Sequence, residues 1–192
     1  GAPMGPTLVP AVQVQNSLHA LIEGGEVEDD SAGRLKEFTA TRKKAEAGDT
    51  EAMCRLSVWY SNGRNGLHQD IKQGYVWCSK AADLDCVMGM ADKGMMLYKG
   101  VGVDKNETAG AALLGVAAGR DNAYACCVLG LEYFYGDSGL PKDHRLAKYW
   151  LMKALELNQD EEKNTGPGFA DGDIDICKKM LKELDGDTKD EH

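Results

Sequence analysis

The sequence predicts an all-α chain: a solenoid of about three stacked helix pairs with capping helices at its N- and C-terminal ends. Three observations predict it. One pattern of small, aromatic and glycine positions recurs three times, its apolar residues are spaced four apart as on a helix face, and no proline stands between Pro10 and Pro141. The composition fits a core of small residues with a few large plugs, since 192 residues include 23 Gly, 8 Met, 7 Tyr, 6 Cys and 3 Trp.

Taken in order, residues 1–10 read as a disordered, tag-like lead, with three prolines in ten positions. Residues 11–48 read as N-terminal capping helices. Val14, Leu18, Leu21 and Ile22 make one stripe, and after Gly24-Gly25 a second helix carries Leu35, Phe38, Arg42 and Ala45, with Ser31 as its expected N-cap and Gly48 as its end. Residues 49–158 hold the three units, 49–85, 86–121 and 122–158. Residues 159–184 are a loop, broken by Gly166-Pro167-Gly168, and a C-terminal capping helix with Ile174, Cys177, Met180, Leu181 and Leu184 on one stripe. Residues 185–192 are an acidic tail.

The repeat is visible when the chain is slid along itself. A shift of 73 residues superposes Ala52 on Ala125, Leu56 on Leu129, Tyr60 on Tyr133, Gly63 on Gly136, Asp70 on Asp143, Trp77 on Trp150 and Ala81 on Ala154. Half that shift finds a middle copy in Gly100, Gly102, Asn106, Gly110, Leu113, Ala117 and Ala118, one residue shorter in its turn. In each unit the first helix ends on glycine, which accepts a left-handed backbone without a Cβ clash. Asp70, Asn106 and Asp143 then stand where a short acceptor caps the second helix. Small residues at Gly74, Gly110 and Ala147 let helix axes approach, and Trp77, Leu113 and Trp150 fill the space between layers. A single pair of this size cannot bury its apolar face, so the units must stack. Lys93 in the slot of Leu56 and Leu129, with Leu97 and Gly89 replacing Tyr and Ala, makes the first helix of the middle unit the weakest expectation.

The linked pattern Ala-x3-Leu, Tyr-x2-Gly, a Gly-Leu or Gly-Val turn, Asp, then Ala-x2-Trp-x2-Lys-Ala resembles the Sel-1-like repeat, and Leu129-Gly130, Tyr133, Gly136, Gly139 to Asp143, Ala147, Trp150 and Lys153-Ala154 are its fullest copy. The resemblance covers about residues 45–158. It implies a right-handed α/α superhelix like that of tetratricopeptide repeats, with the first helices lining a concave surface, and a role as an adaptor or scaffold. Some secreted members join helices through cysteines eight residues apart. Cys126 occupies one such site, but Ala118 occupies its partner position, and Met53 and Ala82 break the scheme elsewhere, so that subclass is not expected.

Charge and cysteine usage narrow the partners. Net charge is −1 over residues 1–44, −2 over 45–158 and −6 over 159–192, so the acidity is mostly C-terminal and no basic stripe exists to neutralise phosphates. Nucleic acid is therefore not an expected partner. No apolar run approaches the ~20 residues of a membrane helix, so no membrane insertion is expected. Six irregularly spaced cysteines read as free, mostly buried thiols, and the chain is expected to be intracellular and cytoplasmic. Cys126-Cys127 with His144 does not form a catalytic set, because adjacent helical residues point about 100° apart. Asp171-x-Asp173-x-Asp175 lacks the glycine and glutamate of a calcium loop and reads as an acidic helix start. No cofactor or metal is expected.

The expected binding face is the side of the first helices opposite Ala52, Leu56 and Tyr60. It carries Glu51, Arg55, Val58 and Asn62 in the first unit, Met88, Asp92, Met95 and Lys99 in the second, and Tyr124, Val128, Leu131 and Tyr135 in the third. Two placements fit the third unit: an open groove, or a wall covered by the C-terminal helix. The function expected is a non-enzymatic module holding a protein or peptide in its concave groove. The alternative is the interaction domain of a larger enzyme, or a small-molecule-binding or hydrolytic relative, for which a reactive Cys126 or Cys127 would speak.

Overall fold

The computed structural model describes residues 29–136, 140–159 and 171–187, and every regular element among them is an α-helix. The stripe Val14 to Ile22, Gly139 and the Gly166-Pro167-Gly168 break lie outside the described residues, as does the tail beyond Asp187. The helices are α1 (Asp29–Glu46), α2 (Thr50–Asn62), α3 (Ile71–Asp83), α4 (Val87–Lys99), α5 (Glu107–Gly119), α6 (Ala123–Tyr135), α7 (His144–Gln159) and α8 (Asp171–Asp187). They pair as α2 with α3, α4 with α5 and α6 with α7. Contacts of α3 with α4 and of α5 with α6 stack one pair on the next, α1 packs on α2, and α8 packs on both α7 and α6.

Each helix starts and stops for a local reason. Asp70 Oδ1 accepts from Gln73 N–H and Asn106 Oδ1 from Ala109 N–H, both at 3.0 Å, while Asp143 Oδ1 accepts from Arg145 and Leu146 N–H. The first helices of units one and three are capped in the same way, by Asp49 onto Ala52 N–H (3.0 Å) and by Asn122 onto Ala125 N–H (2.8 Å). Cys86 stands at that position in the middle unit and makes no capping hydrogen bond. Gly63, Gly100 and Gly136 end α2, α4 and α6 at φ of 63°, 70° and 72°, in the left-handed region that a side chain disfavours.

The small residues permit the predicted approach. A Cβ on Gly110 would lie 2.5 Å from Tyr98 N and 2.7 Å from Gly94 O, so α5 crosses α4 backbone to backbone. Two expectations need correction. Ser31 is not an N-cap, because α1 begins at Asp29, and the C-terminal helix continues three residues into the segment read as tail. The middle unit's first helix is also as long as the others. Lys93 in its leucine slot is held at the surface by Asp83 (3.1 Å), and the apolar load falls on Tyr98, 2% exposed, whose hydroxyl donates to Glu132 Oε2 at 2.6 Å.

The core falls into two clusters. One joins Phe38 and Ala45 of α1 to Cys54, Leu56, Trp59 and Trp77, with the Phe38 ring 6.5 Å from Trp59 and 6.1 Å from Tyr60. The other runs from Ala91 through Leu114, Leu129 and Leu151 to Cys177, Met180 and Leu184 of α8. Cys126 Sγ lies against Ala118 O at 3.7 Å, so the eight-residue contact exists as a thiol on a carbonyl.

Candidate functional site

The predicted strip comes from α2, α4 and α6, and its three segments have different surroundings. In the first unit Glu51, Arg55 and Val58 line a cavity of about 310 Å³ together with Met88 of the second. Its remaining walls are Glu37 of α1, Trp59 and Arg64, none of which the four-residue periodicity singles out. Trp59 lies one residue beside the Ala52, Leu56, Tyr60 stripe, and Glu37 enters only because α1 packs on α2. Arg55 is braced by Glu51 (3.0 Å), and Asn65 Nδ2 bonds Glu37 Oε2 at 3.3 Å on the rim. Asn62 is exposed at the end of α2.

In the second unit Met88, Asp92 and Met95 are half-buried and Lys99 is exposed. Among the described residues the Asp92 carboxyl has no hydrogen-bond or ion-pair partner. Burial, and then the neighbouring Cys86 sulfur, push it up to about 7. Burial is the main reason the Tyr124 phenol is raised, and the nearby Asp92 carboxylate raises it further. A recessed carboxyl between methionines suits a basic or hydrogen-bond-donating side chain.

The third segment departs from an open wall. Val128 is 5% exposed and belongs to the core cluster that includes Cys177, Met180 and Leu184, so it does not line a groove. The reason is α8, which lies along α6 and α7: Cys177 Sγ reaches Cys127 Sγ at 3.1 Å, and Tyr135 Oη donates to Met180 Sδ at 3.6 Å. Tyr124, Leu131 and Met95 pack partly buried against this cluster, whereas Tyr135 remains 56% exposed. Of the two placements open to the third unit, the covered one holds for Val128.

The cysteines divide as well. Cys126 is buried and burial pushes its thiol up to about 11. The contact with Cys177, and then burial, hold Cys127 protonated. Two thiols are drawn the other way: the contact with Cys127 lowers buried Cys177, and half-buried Cys86 is drawn down to about 5 by its contact with Cys54 against the opposing effect of burial. No helix of the described residues is long and apolar enough to cross a membrane.

Comparison with known proteins agrees with this architecture. The family model for the Sel1 repeat matches residues 50–86, 87–122 and 123–159. Among curated proteins, the chain is 31% identical over 113 residues to HRD3B of Arabidopsis thaliana, an ERAD-associated E3 ubiquitin-protein ligase component; that stretch is 58% of this chain and 17% of the relative's length. Among solved structures, a Sel1 repeat protein from Oxalobacter formigenes aligns with a TM-score of 0.55 and 29% identity over 62% of this chain and 88% of that one. A protective antigen of uropathogenic Escherichia coli strains, displaying an SLR fold, aligns with a TM-score of 0.55 and 26% identity over 74% and 33%. Three consecutive helix pairs of like length, each matched by the family model, make this chain a member of the Sel1 repeat family.

Proposed function

We propose that the chain is a non-enzymatic adaptor that holds a segment of a partner protein along the strip from Glu51 to Lys99. Sel1 repeats are generally protein interaction modules, and the cavity between the first and second units supports this role here. It has an apolar floor of Val58, Trp59 and Met88 and a charged rim of Glu37, Glu51, Arg55 and Arg64. Such a site desolvates cheaply at its centre while the rim sets orientation. Met88 and Met95 can repack around different side chains. Arg55, Asp92 and Lys99 orient the bound segment, while Tyr124 and Tyr135 bound the strip at the edge of the covered third unit. Against a thiol hydrolase built on Cys126 or Cys127 stand their burial and their raised pKa values, which deny both a thiolate and substrate access.

The test is selection of peptides from a displayed random library on the folded chain, followed by affinity measurement. A selected peptide is expected to lose about tenfold or more in affinity on Met88→Arg and to keep it on Val116→Arg, an exposed position of α5. Equal affinity for both variants would remove the cavity from the proposal.

A further inference from the structure

Cys54 and Cys86 form a thiol pair to which nothing above assigns a role. Cys54 lies in α2 and is fully buried, while Cys86 is half-buried at the head of α4, and their sulfurs are 3.9 Å apart. The repeat register shows how unusual Cys86 is. Its counterparts, Asp49 and Asn122, both cap their helices, whereas Cys86 leaves the first turn of α4 without a side-chain acceptor. A sulfur anion there would meet the positive end of the helix and serve as the missing acceptor. The sulfur also lies close enough to the Gly89 and Met88 amides for both to favour the thiolate.

From this juxtaposition we infer that Cys86 is a site of oxidation by hydrogen peroxide, and that Cys54 resolves the product as an intramolecular disulfide joining α2 to the head of α4. In the first step the Cys86 thiolate attacks one peroxide oxygen. A sulfur–oxygen bond forms, the oxygen–oxygen bond breaks, and the departing hydroxide takes a proton to become water, leaving a sulfenic acid. In the second, Cys54 Sγ attacks Cys86 Sγ. The sulfur–oxygen bond breaks and the hydroxyl leaves as water with the Cys54 proton, so two thiols are oxidised and one peroxide is reduced. The sulfurs must approach from 3.9 Å to the roughly 2 Å of a bond. Closure would pin the two layers beside the cavity that Met88 shares with Glu51 and Arg55.

Cys127 is the repeat counterpart of Cys54, and its sulfur is nearer its partner, 3.1 Å from Cys177, but both thiols are sealed from solvent. Cys54 and Cys86 should therefore close first. The experiment treats the full chain with limiting hydrogen peroxide, blocks the remaining thiols with iodoacetamide and maps the peptides by mass spectrometry. The first product should be a Cys54–Cys86 peptide pair lighter by two hydrogens and restored by dithiothreitol. In Cys54→Ala, dimedone should capture the sulfenic acid on Cys86, with little adduct in wild type. Without peroxide, Cys86 of the native chain should alkylate at pH 6 about tenfold faster than in the denatured chain. The inference is overturned if Cys127 and Cys177 close first, if dimedone labels Cys86 equally in both proteins, or if native Cys86 alkylates no faster than when denatured. The wild-type map and alkylation rates decide the matter alone should Cys54→Ala fail to fold.

Discussion

The first and third units share register and most of their named residues, yet one presents its wall and the other hides it. Leu56 and Leu129 are both buried, Gly63 and Gly136 adopt the same backbone, and Cys54 and Cys127 each meet a cysteine from the next layer. Around the first unit, α1 and α4 leave Glu51, Arg55 and Val58 facing a cavity; around the third, α8 brings Val128 into the core. The same repeat thus yields a site or a core face according to what stacks beside it.

Removing the cover should break the contrast most strongly. Truncation before Asp171 exposes Val128, Cys127 and Tyr124, and Cys127 is expected to change from unreactive to readily alkylated while Cys54 keeps its protection. Thiol mapping of the two proteins reads this directly. Next in size, Leu56→Ala and Leu151→Ala each empty a fully buried site, one per core cluster, and should each cost about 3 kcal/mol in urea unfolding. Hydrogen exchange should then show Leu151→Ala loosening α6 to α8 more than α2.

Asp92, between the two ends, sharpens the comparison through pH. Its folded value of about 7 lies above that of an unfolded Asp, so the native state binds more protons between about pH 4 and pH 7. This residue's contribution to stability is therefore present below the unfolded pKa and lost as the pH rises through the folded one. Wild type should lose more of its urea midpoint from pH 5 to pH 7.5 than Asp92→Asn does, with Cys54, Cys78, Cys86 and Tyr124 the titratable neighbours common to both proteins. Removal of a cap, by Asp49→Ala or Asn122→Ala, should cost about 1 kcal/mol at either end.

The smallest effects belong to the clasps between layers. Arg120 holds Asp85 at 2.8 and 3.2 Å, and Lys153 holds Asp121 at 2.8 Å, the two aspartates being counterparts with φ of 64° and 62°. The Arg120 pair is largely exposed, so Arg120→Ala should change stability by about 0.5 kcal/mol or less, and less again at high salt. Lys153 is more buried and also bonds Ala118 O, so Lys153→Ala should cost somewhat more.

Much of the scaffold was legible because its causes are local. Asp70, Asn106 and Asp143 cap helices, Gly63, Gly100 and Gly136 end them, and Gly110 faces backbone, each as its residue type and position predict. The middle unit's first helix was underrated from Lys93, Leu97 and Gly89, which depart from the stripe, because Ala91, Met96 and Tyr98 at other positions of the same helix are buried. The candidate site was legible only in part. Glu51, Arg55, Val58 and Met88 come together, while Glu37 and Arg64 arrive from a neighbouring helix and a turn.

The sequence by itself determined the number of helix pairs and where their helices turn, because caps and glycine turns act within one or two helical turns. Only the tertiary structure decided which stretch of the wall stays open and which thiols meet. Those outcomes depend on residues such as 54 and 86, or 127 and 177, lying one layer apart in space while far apart along the chain, and no periodicity records which layer comes to rest against which.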